Sequence, residues 1–230
     1  MLCFVDYRTT DLEIENLKKL NLTPIKIPKS DKLYKAIDGH SDIQLSIVDK
    51  KVILHKDIPK SFLEELNFYG VDYIVSDNSL DSTYPKDIFL NALITEDFIM
   101  HSLKFTDKNI LNNFKGKKLI DVKQGYTRCS CLPINKNNFI TTDKGIHNSL
   151  LKEGYNSLLL PPGDIELKPF EYGFIGGVGG MLNRNTLLLF GDINSYKYKD
   201  LVLNFLKPLN IKIVSLKSGK LTDRGSLLIL

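Results

Sequence analysis

The sequence has little of what membrane, secreted and nucleic-acid-binding proteins need. No apolar run approaches the roughly 18 residues of a membrane span. The N-terminal residues carry charges where a signal peptide needs an apolar segment, and the three cysteines do not form the pattern of a disulfide framework. The net charge is only +4 and no Lys/Arg block is present. These absences favour a reduced, cytoplasmic protein that binds neither nucleic acid nor a membrane.

The rest of the composition is typical of an ordinary globular protein. Of 230 residues, 43% are hydrophobic and 25% are charged, which is enough to bury a sizeable core. We therefore predict a single domain over residues 1–230. The composition leaves the oligomeric state open.

A local pattern in residues 130–161 is repeated along the chain. Short apolar segments on both sides of a polar turn are typical of strands. The spacing of Ile146, Leu150 and Leu151, followed by Gly154, is typical of a helix. The predicted unit is strand, strand, helix, strand. The same order recurs in residues 43–75, 89–122 and 180–215.

Details of these copies can be predicted as well. In the second copy, Ser61 is expected to cap the helix and Gly70 to end it. In the third, the helix is expected to run from about Asp107 to Phe114, and the lysine-rich segment at 115–118 is expected to be a solvated turn.

The two ends of the chain complete each other. Residues 2–27 match a unit without its first strand, and Ser226–Leu230 is a lone apolar strand. The second strands lie about 41 to 49 residues apart, within the range of repeat architectures. Five units joined end to start form a ring without an open terminal repeat. We predict an α/β fold of this kind, a five-fold pseudosymmetric β/α-propeller of ββαβ units, in preference to an ordinary α/β or α+β sheet.

Five units closed in this way resemble the pentein fold of the guanidino-group-modifying enzymes. That family includes arginine deiminases, dimethylarginine dimethylaminohydrolases, amidinotransferases and agmatine deiminases, and also non-enzymatic ribosome-associated relatives. The segments GHSDIQL, YPKDIFLNA and YGFIGG are similar to an uncharacterised bacterial family of this fold. The resemblance implies the fold and leaves the activity open.

In such a ring, residues just before or on the first strands are expected to line one central pocket. Those segments are rich in ionisable groups. The predicted ligand contacts are Asp6, Arg8, Asp87, Asn91, Arg128 and Asp223. Because carboxylates outnumber basic groups among the candidates, the expected ligand is a small cation, either guanidino or amino-acid-like. No cofactor is predicted.

His40 and Asp42 form the sharpest local signal. Two residues apart on an extended strand, they point to the same side, so the carboxylate can orient the imidazole ring. The resemblance implies that His40 moves protons while carboxylates such as Asp42 hold a guanidinium group. The structural alternative is that both side chains cap the start of a strand.

Cys129 and Cys131 are the candidate nucleophiles. Both are expected on one face of a strand, where Arg128 or His40 would favour a thiolate. The resemblance implies a cysteine that attacks the guanidinium carbon. In that family the cysteine lies near the C-terminus, where residues 221–226 of this chain contain none.

Several alternatives stay open for these groups. A free cysteine is more often simply buried, as expected for Cys3. The two thiols with His40 and Asp42 would make a mixed metal site if all four converged, although no metal is predicted. The enzymatic hypothesis is a Cys/His-dependent hydrolase or transferase of guanidino or amidino compounds. The competing hypothesis is a non-catalytic binding protein on the same fold.

The glycine-rich stretch Gly173–Gly180 has the composition of a nucleotide-binding loop, but its position in the predicted structure excludes that function. A dinucleotide fingerprint follows a strand and opens a helix, whereas this stretch precedes two predicted strands. Glycines here are expected to permit close backbone approach or to leave room for a ligand. His55, His101 and His147 are expected to be exposed or to have a satisfied structural role.

Overall fold

Five three-stranded sheets form the frame of the chain in the computed structural model, which describes residues 1–113, 116 and 118–230. The strands are β1 Leu2–Asp6, β2 Thr23–Ile27, β3 Leu45–Val48, β4 Lys51–Leu54, β5 Tyr73–Val75, β6 Leu93–Ile94, β7 Phe98–His101, β8 Lys118–Asp121, β9 Cys131–Pro133, β10 Asn138–Thr141, β11 Asn156–Leu159, β12 Gly179–Asn183, β13 Thr186–Leu189, β14 Lys212–Ser215 and β15 Leu228–Ile229. The α-helices are α1 Asp11–Lys19, α2 Ser41–Gln44, α3 Lys60–Phe68, α4 Lys108–Asn113, α5 Thr127–Ser130, α6 Lys144–Lys152 and α7 Lys199–Leu206. Short 3-10 helices lie at Leu103–Phe105, Ile175–Val178, Ile193–Ser195 and Lys207–Leu209.

Every sheet has the same pairing. The middle strand runs antiparallel to the strand before it and parallel to the strand after it. Because parallel neighbours need a long crossover, a helix joins each parallel pair. The predicted strand, strand, helix, strand order is confirmed. The sheets, in chain order of their middle strands, define units one to five: β15-β1-β2, β3-β4-β5, β6-β7-β8, β9-β10-β11 and β12-β13-β14.

The two ends of the chain pair as the sequence predicts. In unit one, β15 lies antiparallel to β1, with Cys3 opposite Ile229 and Phe4 opposite Leu228. The C-terminal strand therefore supplies the first strand that the N-terminal unit lacks.

Helix boundaries follow local chemistry. The side chains of Thr10 and Glu13 form a capping box at the start of α1. Helix α3 begins at Lys60 and not at a Ser61 cap, so that prediction was wrong: Pro59, with its fixed φ, already sets the first turn. Gly70, with a φ of 66°, ends the helix as expected. The predicted helix end at Phe114 lies outside the described residues, as do parts of the turn at 115–118.

Most of the core consists of clusters between neighbouring units, and a further cluster includes Leu33, Ile43 and Cys129. Phe4 of unit one packs with Leu54 of unit two, for example, and Phe98 of unit three packs with Phe139 of unit four. Further clusters join units two and three and units four and five. One cluster joins Val5 of unit one to Leu188 of unit five. Apolar packing thus runs from each unit to the next, and from the fifth back to the first.

A cavity of about 290 Å³ is bordered by the first strand of every sheet. Its lining includes one residue or more from each of these strands, among them Ser46, Ile94, Pro133, Met181 and Leu228. Asp42 and Arg128 line it as well. Among the described residues, no helix is both long and apolar enough to cross a membrane.

Two of the histidines are buried and fully hydrogen-bonded. His55 accepts from the Asp57 N–H and contacts Gln44, while His101 contacts the Thr106 hydroxyl and the Gly125 carbonyl. Each set of partners suits a neutral ring, with one nitrogen donating and the other accepting. The structural role expected for these two residues is confirmed.

Acid is expected to destabilise the protein through these two rings. Burial lowers the pKa of His55 and of His101 to about 4, from an ordinary 6.5. The unfolded chain therefore binds more protons between pH 6.5 and 4, and each ring lowers the free energy of unfolding by about 1.4 kcal/mol per pH unit as the pH falls. Urea unfolding from pH 7 to 4 measures this slope. In His55→Gln the free energy of unfolding should fall less steeply with pH, because only His101 still contributes. Equal slopes in the variant and the wild type would contradict the prediction.

Candidate functional site

Two one-turn helices bring the predicted site residues together. Helix α2, just before β3, contains Asp42 and follows His40 at its N-cap. Helix α5, just before β9, contains Cys129. The extended conformation predicted for both segments was wrong, because the chain closes a helical turn before each strand. The N–H of Gln44 binds the His40 carbonyl, and the N–H of Ser130 binds the Tyr126 carbonyl.

His40, Asp42 and Cys129 converge although the expected strand geometry is absent. One side-chain atom of each, an imidazole nitrogen, a carboxylate oxygen and the sulfur, lies within 4.8 Å of the others. All three residues are buried. Cys129 Sγ donates to Asp42 Oδ1 at 3.1 Å, and Ser226 Oγ donates to Asp42 Oδ2 at 2.5 Å. These three groups have the donor types of a metal site, but Cys131 does not join them.

Asn91 holds the two helices in register. Its Nδ2 donates to the Asp42 carbonyl at 2.8 Å and lies 3.1 Å from Cys129 Sγ. Its Oδ1 accepts from the backbone N–H groups of Arg128 and Cys129 at 3.0 and 3.2 Å. Asn91 therefore positions the thiol against the carboxylate.

Asp223 adds a second carboxylate from the C-terminal segment. Its oxygens accept from the N–H groups of Phe174 and Gly225, and Oδ1 lies 3.8 Å from His40 Nδ1. Burial, followed by the charge of Asp42, raises the pKa of Asp223. Within the described part of the chain, neither ring nitrogen of His40 makes a hydrogen bond. A neutral His40 ring therefore keeps one nitrogen free to accept a proton.

The environment of Cys129 keeps its thiol protonated. Burial raises its pKa well above 9.0, and the negative charges of Asp42 and Asp223 raise it further. Arg128 is also buried, which lowers its pKa. Its guanidinium donates to the carbonyls of Cys131 and Gly176. A thiolate at Cys129 therefore needs additional positive charge in the site.

Cys131 lies in a different cluster from Cys129, which packs with Ile37, Ile43 and Leu80. It packs in an apolar cluster with Leu93, Phe98 and Phe139, and burial raises its pKa to about 12. The prediction of two thiols on one strand face was wrong, because Cys129 belongs to α5 and Cys131 begins β9. Cys3 is buried in the core as expected.

A cavity of about 330 Å³ opens onto the group. His40, Cys129 and Asp223 line it. Its other lining residues are mainly aromatic and apolar: Tyr34, Ile37, Ile43, Tyr126, Leu167, Phe170, Glu171, Tyr172 and Phe174. The Tyr126 and Phe174 rings stack with centroids 6.1 Å apart, and the Tyr34 and Phe170 rings meet edge to face at 5.7 Å. The cavity thus has a polar wall and an aromatic wall.

Of the six predicted ligand contacts, only Asp223 lines this cavity; Asp6, Arg8, Asp87, Asn91 and Arg128 do not. Asp6 accepts from Arg8 Nε at 2.8 Å and from Arg8 Nη2 at 2.5 Å, a closed ion pair. Asp87 accepts from the Tyr126 hydroxyl, and burial raises its pKa. Asp87 therefore supports the aromatic wall.

Sequence reasoning missed Ser226 and the aromatic residues. Tyr126, Phe174 and Ser226 lie in segments adjoining the first strands, so proximity to the polar candidates was a usable signal. Tyr34 and residues 170–172 come from long connections, for which no repeat pattern predicts a position.

The glycine-rich stretch approaches the site closely, as predicted. A Cβ on Gly176 would lie 2.2 Å from the Arg128 carbonyl oxygen, and one on Gly177 would lie 1.8 Å from Asp223 Oδ1. These distances are far below van der Waals contact. The stretch therefore brings α5 and Asp223 next to the same backbone.

Residues 4–228 match DUF6873, which is described as a family of unknown function. The chain belongs to this family. No curated protein sequence matches it.

Solved structures similar to this DUF6873 chain belong to the pentein superfamily. The inosamine-phosphate amidinotransferase from Streptomyces griseus is 11% identical, with a TM-score of 0.55 over 89% of this chain and 72% of that chain. An amidinotransferase of saxitoxin biosynthesis from Microseira wollei is 9% identical, with a TM-score of 0.54 over 93% and 87%. The agmatine deiminase from C. jejuni is 13% identical, with a TM-score of 0.51 over 94% and 76%. The predicted resemblance is confirmed, and at such identities it concerns the fold alone.

Removing the charge of Asp42 is expected to activate the DUF6873 thiol. In Asp42→Asn, the loss of a neighbouring negative charge should lower the pKa of Cys129, and each unit gives about tenfold more thiolate at a pH below that pKa. The rate of alkylation of Cys129 by chloroacetamide, followed by mass spectrometry against pH, measures the change. Asp87→Asn is the control, because that carboxylate binds Tyr126. An unchanged profile for Asp42→Asn would contradict the prediction.

Proposed function

We propose that this chain is a single-domain pentein propeller, residues 1–230, that acts on guanidino or amidino compounds through Cys129 and His40. In the proposed fold, the five ββαβ units close into a ring with five-fold pseudosymmetry. Two observations support this closure. Each unit shares a core cluster with the next, including the fifth with the first, and all five first strands border one cavity.

The convergence of His40, Asp42 and Cys129 at one cavity carries the proposal. Their side-chain atoms lie within 4.8 Å of one another, and both His40 and Cys129 line the space where a ligand would bind. The superfamily neighbours include amidinotransferases and an agmatine deiminase, which supports an amidino group as the reacting centre. The small-molecule ligand, rather than a macromolecule, is therefore the proposed partner.

The reaction follows from the groups present. Cys129 Sγ forms a bond to the central amidino carbon, and its thiol proton passes to a free nitrogen of His40. The bond from that carbon to the leaving nitrogen then breaks, and His40 returns the proton to the departing amine. Attack by water breaks the carbon–sulfur bond in a hydrolase, and attack by an acceptor amine does so in a transferase.

A cationic ligand would supply the positive charge that the site lacks without a ligand. Without a ligand, burial and two carboxylates keep Cys129 protonated. An amidinium cation in the cavity would place a positive charge beside the sulfur and lower the pKa of the thiol. In this proposal, the cationic substrate itself activates the nucleophile.

A second candidate function is non-catalytic binding of the same kind of cation. The buried Sγ–Asp42 hydrogen bond favours it, since in that bond the protonated thiol acts as a hydrogen-bond donor. The lack of a cysteine in residues 221–226, where related enzymes have theirs, points the same way.

The test compares chloroacetamidine with the neutral chloroacetamide, which differs only in the amidine group. The expected result is an adduct confined to Cys129. It should form faster with chloroacetamidine than with chloroacetamide, after each rate is divided by the rate at which the same reagent alkylates glutathione. Peptide mapping locates the adduct. An amidine that never modifies Cys129 in the folded protein would reject the covalent mechanism and favour the binding protein.

A further inference from the structure

The charged groups around the proposed ligand cavity have one sign. Its acidic lining residues are Asp223 and Glu171, and the described residues that border it include no lysine or arginine. Three arginines elsewhere in the fold have other partners. Arg8 pairs with Asp6, Arg128 donates to two carbonyls, and Arg224 lies 3.6 Å from Glu13. A carboxylate on a ligand would therefore meet no lysine or arginine among the described residues of this cavity.

The opposite wall offers aromatic faces. Five rings line the cavity, and two of them are unusually open: Phe170 is 49% exposed and Tyr172 is 38% exposed. Exposed rings beside a cavity are an apolar surface that a ligand would cover. Aromatic faces also attract organic cations, with about 0.5–2 kcal/mol per contact.

The cost of an anionic group follows from these surroundings. A carboxylate placed between aromatic side chains loses its hydration without gaining an ion pair. The charges of Asp223 and Glu171 would repel it as well. A carbon chain meets no such cost, since it contacts the rings. An additional cationic group on the ligand meets none either, since it contacts Glu171.

Building on the proposed function, we propose that the substrate is a guanidine or amidine whose substituent carries no carboxylate, an alkyl, aryl-alkyl or amino-alkyl compound. Glu171 is the specificity-determining residue at the open end of the cavity. Free amino acids of the arginine type are poor ligands. The amidinium lies at Cys129, His40 and Asp223, and the substituent passes between the rings toward Glu171.

The experiment uses three ligands that differ only at one end. Butylguanidine ends in a methyl group, 4-aminobutylguanidine in an ammonium and 4-guanidinobutanoate in a carboxylate. Each competes with chloroacetamidine for Cys129, and each is also tested for its effect on the melting temperature of Cys129→Ser. We expect the first two to protect Cys129 and raise the melting temperature, with half-protection at a concentration at least tenfold below that of 4-guanidinobutanoate.

Two variants of Glu171 sharpen the test, and its exposed position spares the fold. Glu171→Lys should improve protection by 4-guanidinobutanoate at least tenfold and weaken that by 4-aminobutylguanidine. Glu171→Gln, the matched neutral control, should weaken only the 4-aminobutylguanidine effect. Equal or better protection of the wild type by 4-guanidinobutanoate would overturn the specificity proposal.

Failures of the two proposals are distinguishable. Labelling of Cys129 with protection led by the carboxylate ligand would reject only the specificity proposal. Absence of labelling, with butylguanidine still raising the melting temperature of Cys129→Ser and 4-guanidinobutanoate not doing so, would reject the covalent mechanism and support the specificity. If no ligand of the three protects or stabilises, the specificity proposal is overturned.

Discussion

Replacing Cys129 with serine is expected to abolish covalent modification by chloroacetamidine, with a fall in rate of at least about 10³-fold. A serine hydroxyl is a far weaker nucleophile than a thiolate at neutral pH. The fold should persist, because the serine hydroxyl can still donate to Asp42 in place of the 3.1 Å bond from Cys129 Sγ. Intact-protein mass spectrometry measures the adduct, and thermal unfolding checks the fold.

Cys131→Ala is the matched control for this result. Cys131 lies in an apolar cluster with a pKa raised to about 12, so its removal should leave adduct formation at Cys129 unchanged. It should lower the melting temperature modestly, because it opens a small cavity in the core. An adduct that survives Cys129→Ser and disappears in Cys131→Ala would show that Cys131, and not Cys129, is the nucleophile.

Gly225→Ala is expected to destabilise the protein by about 2–5 kcal/mol. Gly225 has a φ of 69°, in the left-handed region that disfavours residues with a Cβ. The added Cβ would also lie 2.3 Å from the His40 Cβ, so His40 or the C-terminal segment must move. Urea unfolding measures the loss, and labelling of Cys129 should fall because the imidazole is displaced.

Gly219→Ala separates the backbone effect from the steric effect. Gly219 has a φ of 82° and nothing within 4 Å of its added Cβ, so only the left-handed conformation carries a cost, about 1–2 kcal/mol. Cys129 labelling should be unaffected in this variant. Equal destabilisation by the two substitutions would show that a Cβ added at position 225 has no steric cost against His40.

The repeating units could be predicted from the sequence because they depend on local patterns. The spacing of Ile146 and Leu150 specifies the buried face of α6, and both are buried in the structure. Leu151, predicted on the same face, is exposed, so that part of the prediction was wrong. The pairing of the terminal strands also follows from pattern, since an apolar Ser226–Leu230 segment has a free partner only in the incomplete first unit. Element ends were less certain, as at Pro59 and Ser61, because capping competes with the backbone preference of the preceding proline.

The candidate site was predictable only in part. His40, Asp42, Cys129 and Asp223 are ionisable residues placed just before first strands, which is a signal of position in the chain. Their conformation was not predictable, since a single helical turn leaves no periodicity to detect. Cytoplasmic location and the lack of a nucleic acid partner stay predictions from composition.

By itself, the sequence determined the order of strands and helices and the pairing of the chain ends, since alternation and helical spacing are read within a few residues. Only the tertiary structure decided that Cys129 and not Cys131 joins His40. Cys129 lies in the last helical turn and Cys131 begins the next strand, so their side chains have different surroundings. Those surroundings depend on contacts with residues more than 80 positions away, such as that of Cys129 with Asp42. The aromatic wall was decided in the same way, because Tyr34, Tyr126 and Phe170 meet through packing and share no local pattern.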